Sequence, residues 1–247
     1  MIGYQVANGT GQVVKDSKGR IAVKAFVDGT LTDAAAAVTV TVTDEGGTVV
    51  INAQTATKES TGIYFYDLGI ANTADVNKLY AVWTGTWESV SQKLRSHHEI
   101  IGFPIFSEAQ ARSFDVAQLT SASDYSDEAI LDERQKITEL LEQWTGVSWV
   151  SRYNRVKLEG EGDRIISPPS FHITKVLSCT VLGETVATSN FEIDSNAGFI
   201  HRKDGFFEKP TSAFPLPVVI EYEYGWDYIR NGVDRIGLKL LVDRIVS

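Results

Sequence analysis

SDEAILDERQKITELLEQWTGVSW, residues 126–149, is a long stretch of helical pattern set between two regions patterned as strands. Ile130, Ile137, Leu141 and Trp144 follow at intervals of 7, 4 and 3, with Leu140 beside them, which lines one face of an α-helix. Asp132, Glu133, Glu139 and Glu142 occupy the other faces. Ser126 or Asp124 is placed to accept hydrogen bonds from the first-turn amides, and Asp127 and Glu128 suit the positive end of the helix dipole. Gly146 supplies the left-handed residue on which a helix stops, so Trp149 and Val150 begin a strand. One acidic amphipathic helix among strands predicts an α+β chain.

Upstream, the pattern has a period of two. Ile21, Val23, Ala25 and Val27 alternate with polar neighbours, as do Val38, Val40 and Val42, and turn residues fall between at Asp28-Gly29, Asp44 to Gly47 and Thr84 to Thr86. Short strands at this spacing predict a β-sandwich over 1–101. Within it, STGIYFY, residues 60–66, resembles the tyrosine corner of immunoglobulin-like domains. In that reading Tyr64 sends its hydroxyl to the backbone of the preceding turn, while Tyr66 stands where antibody-type domains place a cysteine. Trp83 and Trp87 lie on the next hairpin and are expected to pack on the sandwich; the alternative is that they stack on sugar rings. GFPIF, residues 102–106, breaks the pattern, and 102–125 reads as a linker with a short helix over Ser107–Arg112, capped by Ser107.

Bulk composition limits the function classes. A length of 247 residues with 43% hydrophobic and 22% charged residues describes a globular protein, expected as two domains. No apolar run approaches the roughly 18 residues of a membrane-spanning helix, and the start lacks a signal-peptide pattern, so synthesis is expected in the cytoplasm. Cys179, the single cysteine, excludes an internal disulfide and sits among strand residues. The net charge of -9 argues against tight gripping of nucleic-acid phosphates. The acidity is local: 1–101 carries 8 basic and 10 acidic residues, whereas 107–142 carries 3 basic and 9 acidic ones.

Catalytic constellations do not emerge. His97 and His98 are adjacent and point to opposite faces of a strand, and His172 and His201 stand apart, so a shared metal is not expected. Nucleophile-elbow, phosphate-loop, zincin and calcium-loop patterns are absent from the sequence. EGEGDR, residues 159–164, lacks the order of a calcium loop and reads as a solvated hairpin tip. Glu221 and Glu223 alternate with Tyr222 and Tyr224, the pattern of a half-exposed sheet. Asn8-Gly9-Thr10 matches a glycosylation acceptor without a secretory context. No catalytic residue, metal or cofactor is expected.

The β pattern returns over 149–224, with a hairpin turning at Ser195 to Gly198, and NGVDRIGLKLLVDRIVS closes the chain as a helix that Asn231 can cap. Trp144, Thr145 and Gly146, Pro168 and Pro169, Gly198 with His201 and Arg202, and Tyr222, Tyr224 and Gly225 occur in an order that resembles the head-tail connector (adaptor) proteins of tailed bacteriophages. The resemblance covers 107–247 and implies a connector domain over 126–247, built of helices with inserted β-hairpins, behind an immunoglobulin-like sandwich. It implies a structural, non-enzymatic protein of the virion neck. About twelve copies would form a ring between portal and tail or stopper protein, through which double-stranded DNA passes. Over such a ring the charge sums to on the order of minus one hundred. Asp132, Glu133, Glu139 and Glu142 are the candidates for the channel lining, and Trp226, Tyr228, Arg235, Lys239 and Arg244 for the portal or subunit interface. The alternative function is a glycan- or cell-surface-binding β-sandwich.

Overall fold

A computed structural model describes residues 2–6, 11–114, 119, 121, 125–226 and 232–245. The described elements are seventeen strands against three α-helices. They form two compact units, Met1–Leu141 with Tyr228–Ser247, and Glu142–Asp227.

In the first unit two five-stranded sheets face each other. One contains Ile2–Val6 (β1), Gly19–Val27 (β3), Thr57–Ser60 (β7) and Ile63–Leu68 (β8) in the order β1-β3-β8-β7, with Thr30–Leu31 (β4) also paired to β3. The other joins Gln12–Val14 (β2), Thr39–Asp44 (β5), Val49–Thr55 (β6), Asn77–Trp87 (β9) and Val90–Ile101 (β10) in the order β2-β10-β9-β5-β6, and β2 runs parallel to β10. Alternation builds the core, because every second residue of a strand points to the same face. Ile21, Val23 and Ala25 from β3 meet Val40, Leu79, Ala81 and Trp83 from the opposite sheet. Gly85 is glycine for a reason of space: a Cβ there would lie 2.7 Å from the Trp87 ring.

The sheet orders are those of the ABED and GFC strands of an immunoglobulin-type sandwich, and they correct the reading of Tyr64. That residue sits on β8, the E position, whereas a tyrosine corner opens the F strand, here β9. Its hydroxyl accepts a hydrogen bond from the Ala34 amide (2.7 Å), not from the turn just before it.

Three helices lie wholly or mostly in this unit. Glu108–Ser113 (α1) is capped by Ser107, whose hydroxyl accepts from the Gln110 amide (3.1 Å) while the Gln110 side chain accepts from the Ser107 amide (2.7 Å). Asp127–Thr145 (α2) buries Ile130, Ile137 and Leu141 and ends at Gly146, which has φ +72°. Val233–Ile245 (α3) buries Val233, Leu238 and Leu241, and its Gly237 lets Ile105 and Phe106 approach to within about a methyl group. Arg244 pairs with Glu133, and the Tyr125 hydroxyl donates to the Ile245 carbonyl (2.9 Å). Asp124 and Asn231, the other expected caps, and Asn8 to Thr10 lie outside the described residues.

The second unit is built from sheets. Arg152–Leu158 (β11), Ile173–Val181 (β13), Glu184–Thr185 (β14) and Val218–Tyr224 (β17) pair in the order β11-β17-β13-β14. Ile165–Ile166 (β12), Phe191–Asp194 (β15) and Phe199–Arg202 (β16) form a three-stranded sheet. Ile173, Cys179, Ile200, Phe207, Val218, Ile220 and Tyr222 make a core of their own. This overturns the α+β reading. The chain is a β-rich protein, not a sandwich followed by helices with inserted hairpins. The physical reason is that β11 pairs with β17 and not with its neighbour in sequence, so the strands after Gly146 satisfy their backbone and bury their apolar faces among themselves. Helices α1 and α3 lie wholly in the other unit, as does most of α2.

Candidate functional site

The surface of the second unit carries its chemistry. EGEGDR is pinned rather than loose: the Gly162 amide donates to the Phe207 carbonyl (2.9 Å) and the Phe207 amide to the Asp163 carbonyl (2.7 Å). Gly160 passes so close that a Cβ would stand 2.3 Å from the Phe207 carbonyl oxygen, a separation only glycine tolerates. Held this way, Glu159, Glu161 and Asp163 line a groove of about 360 Å³ together with Leu158, Ile165, Ser167 and Phe199. Ile165 and Phe199 are both exposed. Pairing of Ile165 with His201 puts them on one face of the three-stranded sheet, with Ile166 and Ile200 on the buried face. The exposed Phe171 ring lies over Gly198, next to Phe199.

A second cluster is aromatic. Trp149 and Trp226 stack at 6.2 Å between ring centroids, and the His172 ring lies 4.0 Å from that of Trp226. The Trp149 indole N–H donates to the Thr145 hydroxyl (2.9 Å). Trp226 is therefore a half-buried member of a stack, and Tyr228 lies outside the described residues.

The four channel-lining candidates on α2 have different environments. Glu133 is nearly buried; burial opposes its charge, but Arg244 and Lys136 hold its carboxyl below the ordinary range. Glu142 accepts from the Ser148 hydroxyl (2.8 Å), the Trp149 amide (3.2 Å) and the Arg152 guanidinium (3.2 Å), so it fastens the residues that follow the helix. Asp132 is half-buried, and Glu139 is exposed beside Gln135. Among the interface candidates, Arg244 is engaged by Glu133, while Arg235 and Lys239 are exposed on α3 around the exposed Ile236.

Within the sandwich, Trp83 and Trp87 are both 0% exposed, so neither ring is available to a sugar. The Trp83 indole N–H donates to the Ser96 hydroxyl (2.9 Å), which is also bonded to His98 Nε2 (2.8 Å). Burial, with a smaller contribution from His97, pushes His98 down to about 4. Cys179 is pushed up to about 11 by burial. Among the described residues no group of three or more His, Cys, Asp or Glu is arranged to hold a metal ion.

Sequence reasoning did not single out Ile165, Phe171 or Phe199. The signal was present in Ile165-Ile166 and Phe199-Ile200, because two adjacent apolar residues on a strand commit one of them to the outer face.

No family model and no curated protein matches the chain. Solved structures similar to parts of it include a DUF4426 family protein from Pseudomonas aeruginosa, at 23% identity over 40% of this chain and 87% of that one, with a TM-score of 0.29. A DUF4785 family protein from Legionella pneumophila is similar over 91% of this chain and 47% of its own length, at 9% identity and a TM-score of 0.29. With no connector family model matching and residues 142–227 folded as sheets, the assignment to the connector family fails.

Proposed function

We propose that the chain is a structural, non-enzymatic subunit that works by assembling with copies of itself. The observation that carries this reading is where apolar side chains stand exposed. Residues 142–227 are about a third of the chain, yet among the described residues they hold seven of the twelve exposed large hydrophobics, among them Trp144, Ile165, Phe171, Phe199, Phe206 and Phe214. Of these, Ile165 and Phe199 share one face of the three-stranded sheet and the Phe171 ring lies over Gly198, and an exposed apolar cluster of this kind is read as a surface that another protein covers. Most soluble homo-oligomers are closed and symmetric, and a contact between unlike surfaces forms a ring where its rotation closes and an open filament where it does not. Light scattering over a concentration series tests the reading. A mass that climbs to a fixed multiple of 27.2 kDa is expected, and a monomer at every concentration overturns it.

Passage of DNA through such a ring rests on two of the α2 candidates, the half-buried Asp132 and the exposed Glu139. Replacing both with Lys is expected to produce DNA retention that fades as salt rises. Unchanged retention removes the lumen from the proposal.

A further inference from the structure

We propose that the acid-lined groove of the second unit receives the exposed face of α3 from a neighbouring copy of the chain. This rests on the assembly reading and names its interface. The groove offers two exposed apolar side chains, Ile165 and Phe199, and its lining includes three acids, Glu159, Glu161 and Asp163, and no base. Arg164 turns its guanidinium toward the Phe206 ring (5.3 Å), and Lys209 runs beside Gly162, offsetting part of the negative charge at one edge.

The first two exposed turns of α3 present the complement. Ile236 stands 51% exposed; Arg235 precedes it and Lys239 follows one turn on, both exposed, while the half-buried Asp234 lies in the first turn and the exposed Asp243, seven residues on, shares the face of Ile236. Residues at i and i+4 share a helix face, so the two bases and the isoleucine address one partner together. An exposed isoleucine beside two bases meets a groove that offers two exposed apolar side chains and three acids, and such charge matching fixes register and rejects wrong partners.

Both surfaces are exposed in each chain, and they are different surfaces. A contact between them is heterologous, so each copy gives its α3 to one neighbour and its groove to another, and the contact repeats from copy to copy. The acids make the groove a poor seat for a second groove, which excludes a symmetric groove-to-groove dimer.

Two variants separate this contact from assembly in general: Arg235→Glu with Lys239→Glu on the helix, and Glu161→Lys with Asp163→Lys on the groove. Light scattering of each variant alone, and of the two mixed in equal amounts, is compared with the unaltered protein. Each variant alone is expected to associate at least about tenfold more weakly. The mixture is expected to regain the original mass, because the acidic α3 of one variant fits the basic groove of the other, and the remaining surfaces match as before. An unaltered protein that assembles while both variants keep its mass, or a mixture that stays dissociated, overturns the contact and leaves the assembly reading standing. A monomeric unaltered protein at all concentrations overturns both.

Discussion

His98 faces the interior of the sandwich beside Ser96, and its imidazole stays neutral at pH 7 because a charge there would be desolvated. Its folded value of about 4 lies below the roughly 6.5 of an unfolded histidine. As the pH falls, the unfolded chain takes up the proton first. The stability is therefore present above about pH 6.5 and is lost as the pH falls toward 4, by about 3 kcal/mol in all. Urea midpoints measured across that window should show the slope, and His98→Asn should flatten it. Gly225 is a second residue whose role is geometric: its φ is +105°, and a Cβ would stand 2.3 Å from the Val150 carbonyl oxygen. Gly225→Ala is expected to destabilise the second unit by about 3 kcal/mol, read by denaturant unfolding; a change under 0.5 kcal/mol contradicts the stated geometry. Residue identity was legible where the period was strict. Trp83 and Trp87 continue the inward alternation of Leu79 and Ala81 and are buried with them. Trp144 continued the stripe of Ile130, Ile137 and Leu141 and is nonetheless 67% exposed, because it stands in the last turn, where the helix gives out at Gly146.

At the scale of elements, α2 is held by some of its acids and indifferent to others. Glu142 is partly buried and serves Ser148, Trp149 and Arg152 at once. Glu142→Ala removes the acceptor these three share and should lower stability by about 2 kcal/mol. Glu139→Lys, on the solvent side, should stay within about 0.5 kcal/mol. Thermal melts of the two variants side by side check this, and equal losses would contradict the difference in environment. The caps of α1 and the stop of α2 were readable because they depend on neighbours in sequence: Ser107 with Gln110, and Gly146 with the turn before it. Strand pairing was not. β11 and β17 find each other across the whole second unit, and nothing in a local period of two names the partner of a strand. The same limit explains Tyr64. Seven residues around a tyrosine resembled a corner, but which sheet holds the strand depends on pairings with β3 and β7.

At the scale of the molecule, the order of elements misled. Helix, strands and final helix were read as one connector domain, yet the compact grouping keeps the strands of 142–227 to themselves and places α3 with the first unit. A linear order of elements does not state which of them share a core. The second unit carries exposed apolar side chains and an acidic groove, the first unit an α3 face with two exposed bases, and the proposed contact joins the two in separate copies. An interface of that kind should weaken as salt rises, since its charge pairs stand at an exposed rim, while its apolar part persists. The most direct test of the central claim is native mass spectrometry of the purified protein at the concentration where light scattering reaches its plateau. One discrete multiple of the 27.2 kDa chain is the predicted result. A spectrum of monomer alone would contradict the account.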